Sequence, residues 1–381
     1  MMLIGFFGIA YLNSWDAALS TLADEAWVIS SNYEFIVIPL FILMGNFASI
    51  SGMSRDLYGA AYSWFGHWRG GLASATIAAC AGFAALSGSS VASAVTMGRV
   101  ALPEMKRYNY SDRLATGAIA AGGTLGILIP PSTGFIIYAI LVEESIGRLF
   151  LAGVLPGLML TVLFMISIAI VTRINPTLGP PGERSTMTQR GQSLVQAGPM
   201  LLIVFITIGG IYGGVFTPTE AAAVGTMLAF LLALFRRRVN KNSTSRVLLQ
   251  TIRTTCLAFF ILIGAHIFNP FMALTDIPSD LAKLLLDADL PRTAIMLIIM
   301  LAYIVLGTFL EGFAMLVLTL PIIHPLVVEL GYDPIWFGVV IVIVIEMGLI
   351  SPPVGVNVFV VKGIAEDVPL KEIFAGIIPF W

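Results

Sequence analysis

Charge is what this chain has least of. Only 11% of its 381 residues are Asp, Glu, Lys or Arg, against 58% hydrophobic, and the mean hydropathy is +0.94. A soluble domain carries roughly 25% charged residues, so too little charge is present to cover a water-facing surface. That excludes a soluble globular enzyme, and equally a disordered chain, which needs low hydrophobicity and high charge. A basic excess is missing as well. With 20 Lys and Arg against 22 Asp and Glu, and no basic tail, the chain has no footprint for a nucleic acid. The two cysteines, Cys80 and Cys256, stand alone in apolar runs, so neither a disulfide framework nor a thiolate metal site is indicated. His67, His266 and His324 are scattered and form no HExxH pattern, which argues against zinc. The opening residues have no basic stretch and no small-residue cleavage site before Trp15 and Asp16, unlike a cleavable signal peptide. What is left is an all-α polytopic membrane protein.

Apolar stretches fall at about 35–52, 72–103, 113–142, 149–172, 198–215, 220–235, 254–275, 293–328, 335–364 and 373–381. The apolar opening Met1–Leu12 is short for a span, since a helix needs about 20 residues to cross the hydrocarbon, and the chain is expected to begin part-way through a first helix. Segments 72–103, 113–142, 293–328 and 335–364 are too long for one clean span, and each has Gly, Pro or Ser clusters in its middle. Backbone breaks at membrane depth are tolerated only where protein or a cavity surrounds them, so these four are where a site is sought.

Basic residues orient the spans. Arg236, Arg237, Arg238, Lys241, Arg246 and Arg253 mark one cytoplasmic loop, Lys106, Arg107 and Arg113 a second, and Arg173, Arg184 and Arg190 a third. The stretches 21–34, 142–148 and 276–292 carry no basic excess and are expected outside; the last holds Asp276, Asp280, Asp287 and Asp289 against Lys283 and Arg292. Segment 72–103 then has cytoplasmic flanks on both sides, Arg55 and Arg69 before it and Lys106 after it. It is expected to be a re-entrant hairpin with its tip at Ser87-Gly88-Ser89-Ser90. Segment 293–328 is flanked by acidic loops and should dip in from outside, with its tip near Gly307-Thr308-Phe309-Leu310-Glu311-Gly312. Two hairpins entering from opposite faces are what an inverted repeat produces. The repeat is legible in the residues. At a spacing of 222, Pro103 meets Pro325, Tyr110 meets Tyr332, Gly126 meets Gly348, and Pro130-Pro131 meets Pro352-Pro353; at 223, Gly153 meets Gly376 and Pro156 meets Pro379. The first copy runs on into a helix from Leu158 to Val171 while the second stops at Trp381, so a last helix is expected beyond.

Motifs along nearly the whole chain carry a family resemblance: Ile38-Pro39-Leu40-Phe41-Ile42-Leu43-Met44-Gly45, Leu86-Ser87-Gly88-Ser89-Ser90-Val91-Ala92, Pro103-Glu104-Met105-Lys106-Arg107, Gly123-Thr124-Leu125-Gly126-Ile127-Leu128-Ile129-Pro130-Pro131-Ser132, Phe150-Leu151-Ala152-Gly153-Val154-Leu155-Pro156-Gly157 and Gly348-Leu349-Ile350-Ser351-Pro352-Pro353-Val354-Gly355-Val356-Asn357. In these the chain resembles the DctM-like large membrane subunit of tripartite ATP-independent periplasmic (TRAP) transporters. It departs from the family at the second tip, where Glu311-Gly312 stands in place of the more frequent Asp-Thr. The resemblance implies an elevator-type secondary transporter of the bacterial inner membrane, driven by sodium. It also implies two partners: a small DctQ-like membrane subunit and a soluble periplasmic DctP-like binding protein that delivers an organic acid. No cofactor is implied; sodium serves as the coupling ion. The organisation expected is N-terminal scaffold or arm helices over 1–71, a transport-domain hairpin and broken helix over 72–148, and scaffold helices with the central loop over 149–275. The second hairpin and broken helix follow over 293–364, and the start of a last helix over 365–381.

Sodium needs several oxygens, and a broken helix leaves carbonyls without intrahelical partners. The opposing half-helix N-terminus offers N–H groups and partial positive charge to a carboxylate. Each proline also frees the carbonyl four residues before it, which singles out Gly126 before Pro130 and Gly348 before Pro352. Candidate sodium ligands are therefore Ser87, Gly88, Ser89, Ser90, Thr124, Gly126 and Pro130 in the first copy. Thr308, Gly348, Ser351, Pro352 and Gly355 are their counterparts in the second. Candidate substrate contacts are Ser89, Ser132, Thr133, Arg99 and Asn357, with Arg99 open to the alternative of snorkelling to the interface. Against this stands plain packing, since small residues let helices approach and a Pro–Pro pair kinks any helix. Glu311 and Glu346 are the carboxylates deepest in apolar sequence and are candidate coupling groups, because ionisable residues at membrane depth are costly. Two other functions are weighed: a stand-alone sodium/anion symporter of the same architecture, and an intramembrane hydrolase pairing Ser87 or Ser89 with His266 or His324. The hydrolase lacks a Gly-x-Ser-Gly setting and leaves the repeat unexplained.

Overall fold

A computed structural model describes residues 1–277, 280, 283 and 290–381. Asp287 and Asp289 of the acidic loop lie outside the described residues. Those described are helical throughout, with turns and bends between helices and no strand among them. The N-terminal part comprises α1 (Met2–Leu12), α2 (Trp15–Ser31), α3 (Val37–Ser51) and α4 (Met53–Phe65). The first repeat follows as α5 (Gly71–Ser87), α6 (Ser90–Arg107), α7 (Asp112–Leu128), α8 (Thr133–Leu141) and α9 (Ile146–Ile174). Three long helices come next: α10 (Met187–Tyr212), α11 (Pro218–Phe235) and α12 (Lys241–Leu274). The second repeat is α13 (Arg292–Gly307), α14 (Gly312–Glu329), α15 (Pro334–Ile350), α16 (Val356–Ile364) and α17 (Leu370–Ile377). Among the described residues six helices are long and apolar enough to cross a bilayer, and α7 with α8, bent by 41° at their break, makes a seventh.

Two helices differ from the sequence expectation. Residues 15–31, whose acidic part reads as an outside loop, form α2. Ser14 caps it by accepting from the Ala17 N–H, a local bond that composition does not reveal. Helix α12 begins at Lys241, well before its apolar stretch at 254, because Asn240 and Ser243 cap each other's backbone N–H groups. A reciprocal cap of this kind starts a helix regardless of hydropathy.

The repeat is visible in the helix bounds. Helix α6 becomes α14, and α7 becomes α15, at an offset of 222 at both ends, while α8 becomes α16 at 223. The copies are also inverted. Lys106, at the α6–α7 connection, pairs with Asp367 at 2.5 Å, and so sits beside the α16–α17 connection. Tyr138 Oη, near the end of α8, donates to the Pro334 carbonyl at 2.6 Å, which brings the α8–α9 connection beside the start of α15. Equivalent connections of the two copies therefore lie at opposite ends of the molecule. The first end also gathers the basic connections. Gly70 N–H donates to the Gly179 carbonyl at 2.8 Å, Ser111 N–H to Leu178 at 3.0 Å, Arg190 Nε to Ser63 at 3.2 Å, and Arg236 pairs with Asp56.

The core is the first repeat. Every residue from Leu114 to Ala139 is buried, which is unusual for a pair of helices and needs α5, α6, α9, α15 and α17 around them. Small residues permit the approach. A Cβ on Gly117 would lie 2.2 Å from the Gly376 carbonyl oxygen, and one on Gly376 1.9 Å from that of Arg113, so α7 and α17 touch through backbone. By contrast α9 exposes Leu151, Leu155, Leu158, Val162, Ile166 and Ile170, the apolar stripe of a lipid-facing helix.

Candidate functional site

Each repeat contains a helical hairpin and a broken helix, and both breaks have the same cause. A residue before proline is pushed out of the helical region. Ile129 ends α7 at φ −86°, ψ 121°, and Ser351 ends α15 at φ −86°, ψ 144°. Neither following proline has an N–H, so the helix cannot resume until a new cap forms. Ser132 supplies it for α8 by accepting from Phe135 N–H at 3.2 Å. Gly355, in the left-handed region at φ +61°, starts α16 without a side-chain cap.

The first hairpin turns over two residues, Gly88 and Ser89. Gly88 takes φ +56°, which a residue without Cβ adopts cheaply, and Ser89 caps α6 by accepting from Ala92 N–H at 3.3 Å. Ser87 and Ser93 share a hydrogen bond of 2.7 Å across the turn. The tip is fastened to the broken helix at its start: Thr133 Oγ1 donates to the Gly88 carbonyl at 2.5 Å. Gly126 lies against the same turn, where a Cβ would come 2.5 Å from the Ser89 carbonyl oxygen and 2.7 Å from Ser93 Oγ. Ile129 N–H returns to Leu125 at 3.0 Å, and Pro130 has no N–H to offer the Gly126 carbonyl. Thr124 Oγ1 is taken up by the Ala121 carbonyl at 2.6 Å.

The second hairpin turns over four residues, Thr308 to Glu311. It too meets its own broken helix: Gly355 N–H donates to the Thr308 carbonyl at 3.4 Å. Thr308 Oγ1 donates to Val305, and Gly307 and Gly348 meet backbone to backbone, a Cβ on Gly348 falling 2.7 Å from Gly307 Cα. Here the details depart from the sequence expectation. The Gly348 carbonyl is not left free by Pro352, because Ser351 N–H closes a tighter turn onto it at 2.9 Å. Ser351 Oγ donates to Met347 at 2.5 Å and accepts from Trp381 Nε1 at 2.7 Å. Glu311, deep in apolar sequence, is exposed, and its carboxylate caps α14 by accepting from Phe313 and Ala314 N–H groups at 3.0 and 3.3 Å.

Glu346 does lie deep: it is 2% exposed. Its Oε1 accepts from Ser90 Oγ at 2.6 Å, and its Oε2 has no partner among the described residues. This bond crosses from the second repeat to the first residue of α6, just past the first tip. A further such group is Asn357, fully buried in the first turn of α16, with neither amide atom hydrogen-bonded among the described residues. A buried polar group without a partner costs about 1–3 kcal/mol, so the amide is a candidate contact for a ligand or a water. Ser132 and Thr133 are buried beside the first break, whereas Arg99 is exposed on α6 and its side chain is among no hydrogen bonds or ion pairs of the described residues. The inter-repeat bond was not foreseeable from sequence, since Ser90 and Glu346 are separated by most of the chain. No catalytic serine emerges: Ser87 is bound to Ser93, Ser89 to a backbone N–H, and His266 Nδ1 to Glu25 at 3.2 Å.

Comparison with known proteins agrees with this architecture. The model of the DctM component of tripartite ATP-independent periplasmic transporters matches residues 1–381. The chain belongs to the DctM family. A DctM relative, the C4-dicarboxylate TRAP transporter large permease of Pseudomonas aeruginosa, is 37% identical over 95% of this chain and 84% of its own length. The sialic acid TRAP transporter large permease SiaM of Vibrio cholerae is 32% identical over 91% of this chain and 81% of its own. Among solved structures, the YdaH transporter of Alcanivorax borkumensis superimposes with a TM-score of 0.65 at 13% identity, covering 97% of this chain and 86% of that one. The likeness of fold thus extends well beyond recognisable sequence. This DctM-family chain is a multi-pass membrane permease subunit.

Proposed function

We propose that this DctM-family chain is the membrane-embedded translocation subunit of a sodium-coupled importer that takes an organic acid from a soluble binding protein. The observation that carries the reading is the matched pair of tips and breaks. In each repeat a hairpin turn is hydrogen-bonded to the start of the half-helix after its own Pro–Pro break, Gly88 to Thr133 and Thr308 to Gly355. Such a junction concentrates backbone carbonyls, which suit a hard monovalent cation, next to half-helix N-termini, which suit a carboxylate.

In this reading the first ion is held by the Gly88, Ser89 and Gly126 carbonyls with Ser87, Ser90 and Thr124 hydroxyls nearby. The second is held around Thr308, Ser351 and Gly355. The anion lies between Ser132, Thr133 and Asn357, at the two N-termini that follow the breaks. Glu346 acts by holding Ser90, and through it the first tip, in register with the second repeat. Residues 72–148 and 293–364 then move as a transport domain against the scaffold of 1–71 and 149–275, carrying the site across the inner membrane as an elevator. A small DctQ-like membrane subunit and a DctP-like binding protein complete the assembly. The cargo is a carboxylate of the kind named for the relatives, a C4-dicarboxylate or a sialic acid.

The test is uptake of a labelled panel of these acids into liposomes holding the chain with its small membrane subunit. Uptake that needs both an inward sodium gradient and the binding protein supports the proposal. Uptake that needs sodium alone supports a stand-alone symporter. No uptake of a verified cargo under any gradient defeats both.

A further inference from the structure

We infer a binding site for one anionic phospholipid at the end of the molecule where the basic connections gather. A groove of about 760 Å³ runs between the last three turns of α9 and the connection after α4. Its walls are mostly apolar, formed by Phe65, Trp68, Val162, Met165, Ile166 and Ala169, and Arg69 and Arg173 also line it. Residues 162, 166, 169 and 173 recur at three- and four-residue intervals, so they form one stripe along α9. The stripe is an apolar rail leading from the membrane interior to a charged head.

The two arginines are far apart in sequence and are joined by the fold. Thr172 Oγ1 donates to the Arg69 carbonyl at 3.3 Å, which places Arg69 beside the residue preceding Arg173. Gly70, at φ +71°, turns the chain onto α9 so closely that a Cβ there would meet Ile168 at 2.7 Å. Neither arginine forms an ion pair among the described residues, although five other Lys and Arg side chains do. Arg173 lies in the last turn of a helix long enough to span the bilayer, the part of a spanning helix that meets the headgroups. Two uncompensated guanidiniums recognise a phosphate through planar, forked donors. The rail accounts for an acyl chain and Trp68 for an interfacial anchor. A free phosphate has no use for the rail, and a neutral zwitterionic lipid gains less from the paired charge.

The chain is purified with its small membrane subunit and titrated with dioleoylphosphatidylglycerol or dioleoylphosphatidylcholine, read by native mass spectrometry. The expected result is at least tenfold preference for the anionic lipid, reduced to parity in the double variant Arg69→Gln, Arg173→Gln. Partial retention is expected in Arg69→Lys, Arg173→Lys, and loss of bound lipid in Ile166→Trp, which fills the rail. Unchanged thermal melting of the variants shows that the fold is intact. Equal binding of both lipids, or unaltered binding in the double Gln variant, overturns the proposal. So does displacement of the lipid by millimolar glycerol 3-phosphate, which marks a free-anion site. Efficient cross-linking of Ile166→Cys to the small subunit or to a second copy in the bilayer likewise overturns it, since protein then fills the groove.

Discussion

The two repeats share a backbone plan and differ in enclosure. Around the first break every residue is buried, prolines included, and the tip is tied by the Ser87–Ser93 and Thr133–Gly88 bonds. Around the second, Pro352, Pro353 and Glu311 are exposed, Phe309 is 61% exposed, and one longer hydrogen bond of 3.4 Å joins tip to break. The second turn is wider by two residues, and Glu311 sits in it at the cap position that Ser89 holds in the first. Sequence symmetry thus specifies where helices break, while neighbours decide how tightly each break is held. In the transport reading, the first half is the settled wall of the site and the second the side through which it opens.

The largest effect expected from disturbing this contrast is at Gly126. In Gly126→Ala the new methyl overlaps the Ser89 carbonyl in a region with no free space, and overpacking of this kind costs about 1–3 kcal/mol. Sodium-driven uptake should fall by more than about tenfold, the equivalent of about 1.4 kcal/mol. Gly312→Ala at the second tip meets only the Ile345 side chain at 3.1 Å and should change uptake far less, unlike Gly348→Ala, the counterpart of Gly126, which meets the Gly307 backbone at 2.7 Å. Equal losses in Gly126→Ala and Gly312→Ala would erase the distinction between a tight and a loose half.

Next in size is the bond between repeats. Glu346→Leu removes the acceptor from Ser90, and leaving that buried hydroxyl without a partner costs about 1–3 kcal/mol. Uptake should fall about tenfold or more, whereas Glu346→Gln keeps an acceptor oxygen and should retain most activity. If Gln is as damaging as Leu, charge at that position matters and the register role is incomplete. At Glu311 the corresponding loss is a helix cap, about 1 kcal/mol, and a thermal-melting series on both residues separates the two roles.

Thr133→Val should weaken the hold on the first tip and raise the sodium concentration for half-maximal uptake by about three- to tenfold, the loss of one ordinary hydrogen bond. Thr308→Val spares its backbone bond to Gly355 and should shift that concentration less. A larger shift from Thr308 would reverse the comparison. The smallest effect belongs to the Lys106–Asp367 pair. The hydrogen bond from Lys106 holds the Asp367 carboxyl below the usual carboxylate range. A depressed carboxylate contributes stability at neutral pH and loses that contribution as pH falls through its lowered value. The pair is exposed, so Asp367→Asn should scarcely move the melting temperature at neutral pH, and any shift should vanish in high salt.

Much of this was open to a reader of the chain alone. Pro130-Pro131 and Pro352-Pro353 state where helices stop, because a missing N–H and a pre-proline clash are local facts. The offset of 222 between them carries through to the bounds of α6, α7, α14 and α15. The tip at Gly88 was legible for the same reason. Less legible was α2, whose acidic residues resemble a loop until Ser14 is seen capping it. The fate of the Gly348 carbonyl was also hidden, since the choice between a free oxygen and a tighter turn onto Ser351 N–H depends on backbone geometry that proline only permits.

What the chain by itself determined is therefore periodic and local: apolar length, helix breaks, turn glycines and the twofold echo of landmarks. Membrane residence followed from too little charge to cover a wet surface, and the family from motifs spread along the chain. What only the tertiary structure decided is pairing across distance. It buries Glu346 and joins it to Ser90, leaves Glu311 outside as a cap, brings Arg69 beside Arg173, and encloses one break while opening the other. Hydrophobicity and proline act within a few residues, but burial is set by whichever surface a segment meets, and that surface comes from elsewhere in the chain.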